Sequence, residues 1–126
     1  TPTVFDAISA QAEYLGGAIA PGLRVAAESL FTATSQLRRV ELAAPATAIA
    51  RNTVQAIQSG VVLGHVDMVE GMVRRFKREL DQEAKVIATG SLAPFIAKET
   101  SAFDAVSLDL TLIGLRFIHE MNQNYR

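Results

Sequence analysis

The longest helical pattern in the chain runs from Asn52 to Leu80 and constrains the fold more than any other stretch. It opens with the polar pair Asn52-Thr53, whose side chains are suited to capping a helix. Its apolar residues recur at steps of three, four and seven, on one face of an α-helix: Val54, Ile57, Val61, Val62, Val69, Val73, Phe76 and Leu80. At 1.5 Å per residue this helix would span roughly 40 Å. Its apolar face must therefore be buried against most of the domain, or against a second copy.

The residues leave two interpretations of this helix open. Gly60 and Gly64 lie one turn apart and remove side chains where another backbone could approach. In the first interpretation this is a core helix with a notch for a neighbouring helix. In the second, the start at Asn52 and Thr53 belongs to a ligand site.

Composition narrows the class of protein. A chain of 126 residues fits one domain, 1–126, and 49% hydrophobic residues provide a core. The net charge of -1 offers no general attraction for nucleic acid or an anionic membrane. The absence of cysteine excludes disulfides and thiolate metal sites, and is compatible with the cytoplasm, where we expect the protein. No apolar run approaches the roughly 20 residues that span a bilayer. These features predict a soluble α/β domain.

The first third of the chain has the pattern of a hairpin followed by a helix. Strands are predicted over Thr3–Ser9 and Tyr14–Ala20, joined by a short polar connection. Val4, Asp6 and Ile8 are expected on one face of the first strand. Pro21-Gly22 ends the pairing, and a helix is predicted from Leu23 to about Thr34. Residues 35–51 are aperiodic and predict an extended surface connection.

The last third combines short strands and helices. A strand over Lys85–Thr89 leads through Gly90-Ser91 into a short helix ending near Lys98, an arrangement that can present N–H groups to an anion. Another strand is predicted at Ala105-Val106. A final helix is expected from Leu110 to about Asn124, capped by Asp109. Its buried side is predicted to include four residues: Leu112, Leu115, Ile118 and His119.

No complete catalytic set is present in the sequence. His65 and His119 stand singly on helices, and each is expected to be hydrogen-bonded or half-exposed rather than a metal ligand. The serines lack a neighbouring base in sequence, so none is assigned as a nucleophile. The basic residues near Arg74 and Arg75 suit the carboxyl end of the long helix, and acidic residues follow at once. No nucleic-acid site is predicted.

Four segments, in order, resemble the C-terminal half of the type III pantothenate kinases. Thr1 to Asp6 is similar to the end of that family's second phosphate loop, and YLGGAIAPG from Tyr14 to its Gly-Gly-x-Ile-x-Pro-Gly. NTVQAIQSG from Asn52 is similar to its Asn-Thr-x-x-Ala-Ile-Gln-Ser-Gly. ATGSLA from Ala88, with LDLTLIGL from Leu108, is similar to its closing Thr-Gly-Gly and helix. The resemblance covers essentially the whole chain.

The resemblance implies a fold and an activity. The fold would be ribonuclease H-like, as in actin-like ATPases, with a mixed sheet, packed helices and one long central helix. The activity would be ATP-dependent phosphorylation of pantothenate, the first step of coenzyme A synthesis, with a divalent metal such as Mg²⁺ and a monovalent cation such as K⁺ or NH₄⁺. Thr1 would contact the ATP phosphates, and Thr53 would reach the pantothenate of the partner in a homodimer. Gly90 would lie near the nucleotide.

Departures from the family pattern keep a second hypothesis open. Pro2 stands where the family commonly has Ala, Val4 where it often has Thr, and Ser91 replaces the second Gly of Thr-Gly-Gly. By the same resemblance, the general-base Asp belongs to an N-terminal half absent from this chain, so the segment alone is expected to be inactive, with no catalytic or metal residue of its own. The alternative is a non-catalytic dimerising or regulatory relative.

Overall fold

The computed structural model describes residues 1–33 and 39–123 and has a mixed α/β architecture. The chain divides into two compact units, Thr1–Ala84 and Lys85–Arg126. The predicted helix ends at Thr34 and Asn124, and the first residues of the predicted connection, 35–38, lie outside the described residues. One domain over 1–126 stays a prediction.

The first unit begins with the predicted hairpin. Strand β1, Thr3–Ile8, pairs antiparallel with β2, Tyr14–Ala20, and Asp6 lies opposite Gly17. Exposure alternates along β1 as the pattern predicts, since the side chains of Val4, Asp6 and Ile8 are on its exposed face. The opposite face packs on the long helix, where the Phe5 and Phe76 ring centroids are 5.9 Å apart.

Helix α1, Leu23–Ala33, follows at once and supplies core residues. Leu23 and Ala27, one turn apart, are only 1% and 3% exposed. Its start needs glycine at position 22, because a Cβ there would lie 2.0 Å from the carbonyl oxygen of Thr1. The first residue of the chain is thereby held against the turn that opens α1.

The long helix is confirmed, but it is not uniformly α-helical. It consists of α2, Thr53–Gln58, then a π-helical stretch, Ser59–Leu63, and then α3, Gly64–Glu79. Its buried residues are Ile57, Val61, Val62, Val66 and Val69. In the π stretch, the N–H of Gly64 donates to the carbonyl of Ser59, five residues back, which adds a residue to that turn.

The second unit holds a small parallel sheet. Strand β3, Ile87–Ala88, pairs with β4, Ala105–Val106, and α4, Ala93–Ala97, lies between them in sequence. Strand β3 is shorter than the predicted Lys85–Thr89 because only these two residues pair; the N–H of Val86 bonds the Asp104 carboxylate at 2.7 Å instead.

Helix α5, Leu110–Gln123, corrects one prediction. None of its residues is buried, and Leu112, Leu115 and Ile118 are 67%, 57% and 57% exposed; His119 is exposed as well. Helical spacing identifies which residues share a face, but burial also requires an element that covers that face. No described element buries it in this unit.

None of the helices in the described ranges is both long and apolar enough to cross a bilayer.

Candidate functional site

The start of the long helix is fixed by its first polar residue. Asn52 has extended backbone angles, φ -139° and ψ 163°, and its Oδ1 accepts a hydrogen bond from the N–H of Gln55 at 2.9 Å. This is the geometry of a side-chain N-cap, which satisfies one of the free N–H groups at a helix start. Thr53 is therefore the first helical residue, and it is exposed.

Beside this start lies a cleft of about 740 Å³ within the first unit. Pro21, Ala26 and Leu30 form one side. The other side is a stripe of the long helix that runs from Thr53 to Met68 and includes Ala56, Ile57, Gly60, Val61, Gly64 and His65. Most of this lining is apolar, so the cleft offers dispersion contacts and few hydrogen-bonding groups.

Gly60 and Gly64 make the long-helix side of the cleft open. A Cβ added at either glycine would have no heavy atom within 4 Å, apart from the neighbours and the helix backbone. In the part of the chain that the structure describes, no second backbone enters the notch that these glycines leave. The notch is thus part of the cleft in the described residues, and its use as a packing contact for another helix stays a prediction.

Thr53 and His65 are the two lining residues with a hydroxyl or nitrogen on the side chain. On an ideal α-helix, residues twelve apart lie roughly 120° apart around the axis. The wider π turn between them winds less per residue and reduces this angle. The π stretch therefore explains how both residues line one cleft.

His65 is half-buried in this lining, and within the described residues its imidazole has no hydrogen-bond partner. Burial lowers the pKa of His65 from its ordinary value of 6.5, because desolvation disfavours the charged ring. The ring is thus neutral near pH 7 and can both donate and accept a hydrogen bond.

This pKa shift predicts a loss of stability in acid. Below pH 6.5 the unfolded chain binds a proton at His65 more readily than the folded chain does, so the free energy of unfolding falls as the pH falls. Urea unfolding measured from about pH 8 to about pH 5 should show a smaller fall for His65→Gln than for the unsubstituted protein. Equal falls in the two proteins would contradict a depressed pKa at this position.

Thr1 lies near the cleft through its backbone. The carbonyl oxygen of Thr1 lies against Gly22. Pro21, the residue before Gly22, lines the cleft. The Thr1 side chain is exposed but is not part of the lining that contains Thr53. The structure thus places the first residue at a turn next to the cleft.

Gly90 and Ser91 belong to the second unit. Gly90 has φ +101°, a conformation that favours glycine, and its carbonyl accepts the N–H of Ala93 at 3.1 Å. The predicted strand, turn and helix are therefore present around it. The helix has five residues and no side-chain cap, so this geometry alone does not establish an anion site.

Family resemblance indicated Thr53 as a site residue, and the place of His65 was missed. The polar helix start at Asn52 and Thr53 left a ligand site open without establishing one. His65 was considered singly, because no second His or carboxylate stands at metal-ligand spacing from it. No simple periodicity reports the π turn that brings Thr53 and His65 to one cleft.

Residues 1–75 match the family model described as type III pantothenate kinase. The chain is 50% identical over 123 residues to the type III pantothenate kinase of Dehalococcoides mccartyi, covering 98% of this chain and 47% of that protein. It is 49% identical over 124 residues to the protein of the same name from Roseiflexus sp., covering 98% of this chain and 49% of that protein. The chain spans about half the length of these relatives.

One similar solved structure is that of a conserved protein from Campylobacter jejuni assigned to the Baf family of transcriptional activators. The TM-score is 0.67 at 18% sequence identity, covering 98% of this chain and 59% of that one. This likeness concerns the fold.

Proposed function

Because the chain belongs to the type III pantothenate kinase family, we propose that it is the C-terminal part of an enzyme that phosphorylates pantothenate with ATP. The observation that supports the proposal is the capped helix start, where the exposed Thr53 is part of the lining of a largely apolar cleft. Two relatives that match 98% of this chain are both named type III pantothenate kinase. The proposed activity belongs to the full-length protein, of which this segment covers one part.

Thr53 is proposed to bind pantothenate. A threonine hydroxyl both donates and accepts a hydrogen bond, and an amide or hydroxyl of the substrate matches either role. Thr53 is exposed and the capped helix start fixes its backbone. In line with the resemblance, we propose that it contacts the substrate held by a second copy, in a homodimer whose subunits share the site.

Thr1 is proposed to contact the ATP phosphates. Its hydroxyl and a backbone N–H can both donate to an anion, and its carbonyl is held against the turn at Gly22. Pro2 and Val4 make this segment stiffer and less polar than the family pattern. We propose that phosphate binding tolerates both residues, with Gly90 near the nucleotide.

The metal ions implied by the family resemblance are proposed to bind outside this segment. Among the described residues, no group of three or more His, Asp and Glu side chains could hold a metal ion. We propose that the divalent metal, such as Mg²⁺, the K⁺ or NH₄⁺ ion and the general-base Asp depend on the remainder of a cytoplasmic enzyme. Phosphoryl transfer rests on positioning and charge neutralisation by such groups. The fold proposed for the whole is ribonuclease H-like.

The test is a coupled assay for ADP release by the full-length protein, with and without pantothenate. If the kinase proposal is right, the full-length protein should release ADP only when pantothenate is present. Residues 1–126 alone should release no ADP. The alternative, a non-catalytic dimerising or regulatory relative, is favoured by Pro2, Val4 and Ser91. Absence of pantothenate-dependent release from the full-length protein would support that alternative and overturn the kinase proposal.

A further inference from the structure

The segment 39–51 leads into the helix start without regular secondary structure. Among the described residues, none of the backbone–backbone hydrogen bonds outside helices and strands involves this segment. Its path therefore depends on contacts with side chains, since an irregular backbone needs partners for its polar groups. Those contacts set the direction from which the chain enters Asn52.

Two adjoining residues of the long helix each donate a hydrogen bond to the segment, which also pairs with α1 through Arg39 and Glu28. The Gln58 side chain donates from Nε2 to the carbonyl of Glu41 at 2.9 Å, and the Ser59 hydroxyl donates to the carbonyl of Ala48 at 2.6 Å. Both donors are half-buried. The bonds join positions 17 and 11 residues apart, so they link the segment to the helix rather than serve a local turn.

The Ser59 bond closes a loop around the helix start. Ala48 precedes Asn52 by four residues and Ser59 follows it by seven, so the bond ties together the two stretches that flank the cap. Asn52 must stay extended for its side chain to reach the N–H of Gln55. Holding the Ala48 carbonyl on the helix restricts that approach, and with it the direction of Thr53.

Ser59 also belongs to the π turn. Its carbonyl accepts the N–H of Gly64, the bond that adds a residue to that turn and helps bring His65 into the cleft. One residue thus bonds the segment through its side chain and the π turn through its backbone. Ser59 is therefore linked to both polar residues of the cleft lining, Thr53 and His65.

We propose that Gln58 and Ser59 are positioning residues that fix Thr53 by holding the segment 39–51 on the helix. This inference rests on the proposed function, because it assigns these residues an effect on the binding of pantothenate. Neither residue is among those lining the cleft, so their effect passes through the helix start. Small displacements of a binding group can lower the rate or the affinity markedly.

The test is steady-state kinetics on the full-length enzyme with Ser59→Ala and with Gln58→Met, which keeps the side-chain length and removes the donor. Each is expected to raise KM for pantothenate about 3- to 10-fold, as the loss of one hydrogen bond allows, and to change KM for ATP less. Ser59→Thr retains the hydroxyl and should restore KM. In Ser59→Ala, amide hydrogen exchange should speed up at Gln55 and Ala56, whose N–H groups bond Asn52.

A matched control is Ser29→Ala. The Ser29 hydroxyl donates to the carbonyl of Ala26 at the same 2.6 Å, but within one turn of α1, and its side chain is exposed. This variant should leave both KM values and the exchange of the Gln55 and Ala56 amides unchanged. If Ser59→Ala misfolds, as far-UV circular dichroism would show, Gln58→Met decides.

The outcomes separate the two proposals. If the unsubstituted enzyme shows no pantothenate-dependent ADP release, the proposed function fails, and the positioning role fails with it. If that enzyme is active and Ser59→Ala and Gln58→Met match Ser29→Ala in KM for pantothenate, the positioning role alone is overturned. Equal increases in KM for pantothenate and ATP would likewise overturn it, because they indicate a general structural defect.

Discussion

Replacing Gly17 with alanine is expected to lower the free energy of unfolding by about 3 kcal/mol. Gly17 lies opposite Asp6 in the hairpin, and a Cβ added to it would stand 1.9 Å from the carbonyl oxygen of Phe5. That oxygen belongs to the neighbouring backbone and cannot rotate away as a flexible side chain could. The strands must therefore separate or shift their register, and the packing of Phe5 on Phe76 is lost with them.

Urea unfolding of the full-length protein, followed by circular dichroism, measures this effect. Gly114→Ala is the matched control, because it makes the same chemical change in helix α5, where the added Cβ would meet no heavy atom within 4 Å. Alanine is the better helix former, so the control should be neutral or slightly stabilising. A Gly17→Ala protein as stable as this control would show that the hairpin accommodates the methyl group.

Replacing Thr53 with alanine in the full-length enzyme is expected to raise KM for pantothenate about 10-fold or more. The substitution removes the single side-chain hydroxyl of the cleft lining and leaves the substrate group that it met without a partner. The Asn52 cap bonds the N–H of Gln55 and not Thr53, so the helix start should persist. The KM for ATP should change much less.

Initial rates at varied pantothenate and varied ATP measure the two constants separately. Thr53→Ser keeps the hydroxyl and should remain close to the unsubstituted enzyme. Thr32→Ala removes a hydroxyl that bonds the Glu28 carbonyl at 3.1 Å on α1 and serves as the control. Equal increases in both KM values for Thr53→Ala would count against a role at the pantothenate site.

Local patterns predicted local structure well. The hairpin over β1 and β2, with its alternating exposure, followed from period-two apolar residues bounded by turn residues. The helix start followed from Asn52, whose side chain makes the cap that its type predicts. In both cases the determinants lie within a few residues, so the sequence carries the information directly.

Features that depend on distant contacts could not be predicted. The π turn at Ser59–Leu63 has no period of its own, so neither the burial of Val66 nor the shared cleft of Thr53 and His65 was foreseen. The burial expected for Leu112 and Leu115 required a covering element that apolar spacing cannot specify. The proposed roles of Thr1 and Thr53 came from family resemblance rather than from periodicity, and they stay predictions.

The π turn also affects how related sequences should be aligned. Removing one residue between Ser59 and Leu63 would convert the turn to regular α-helix. The later side chains of α3 would keep nearly the same direction relative to Thr53, because eleven residues of regular α-helix turn by roughly 1,100°, about 20° beyond three full turns. In a homologue with a one-residue deletion here, the residue eleven positions after the threonine would therefore face the cleft, and the residue twelve positions after it would face elsewhere. When such sequences are aligned, the residue that reaches the cleft should therefore be matched to His65.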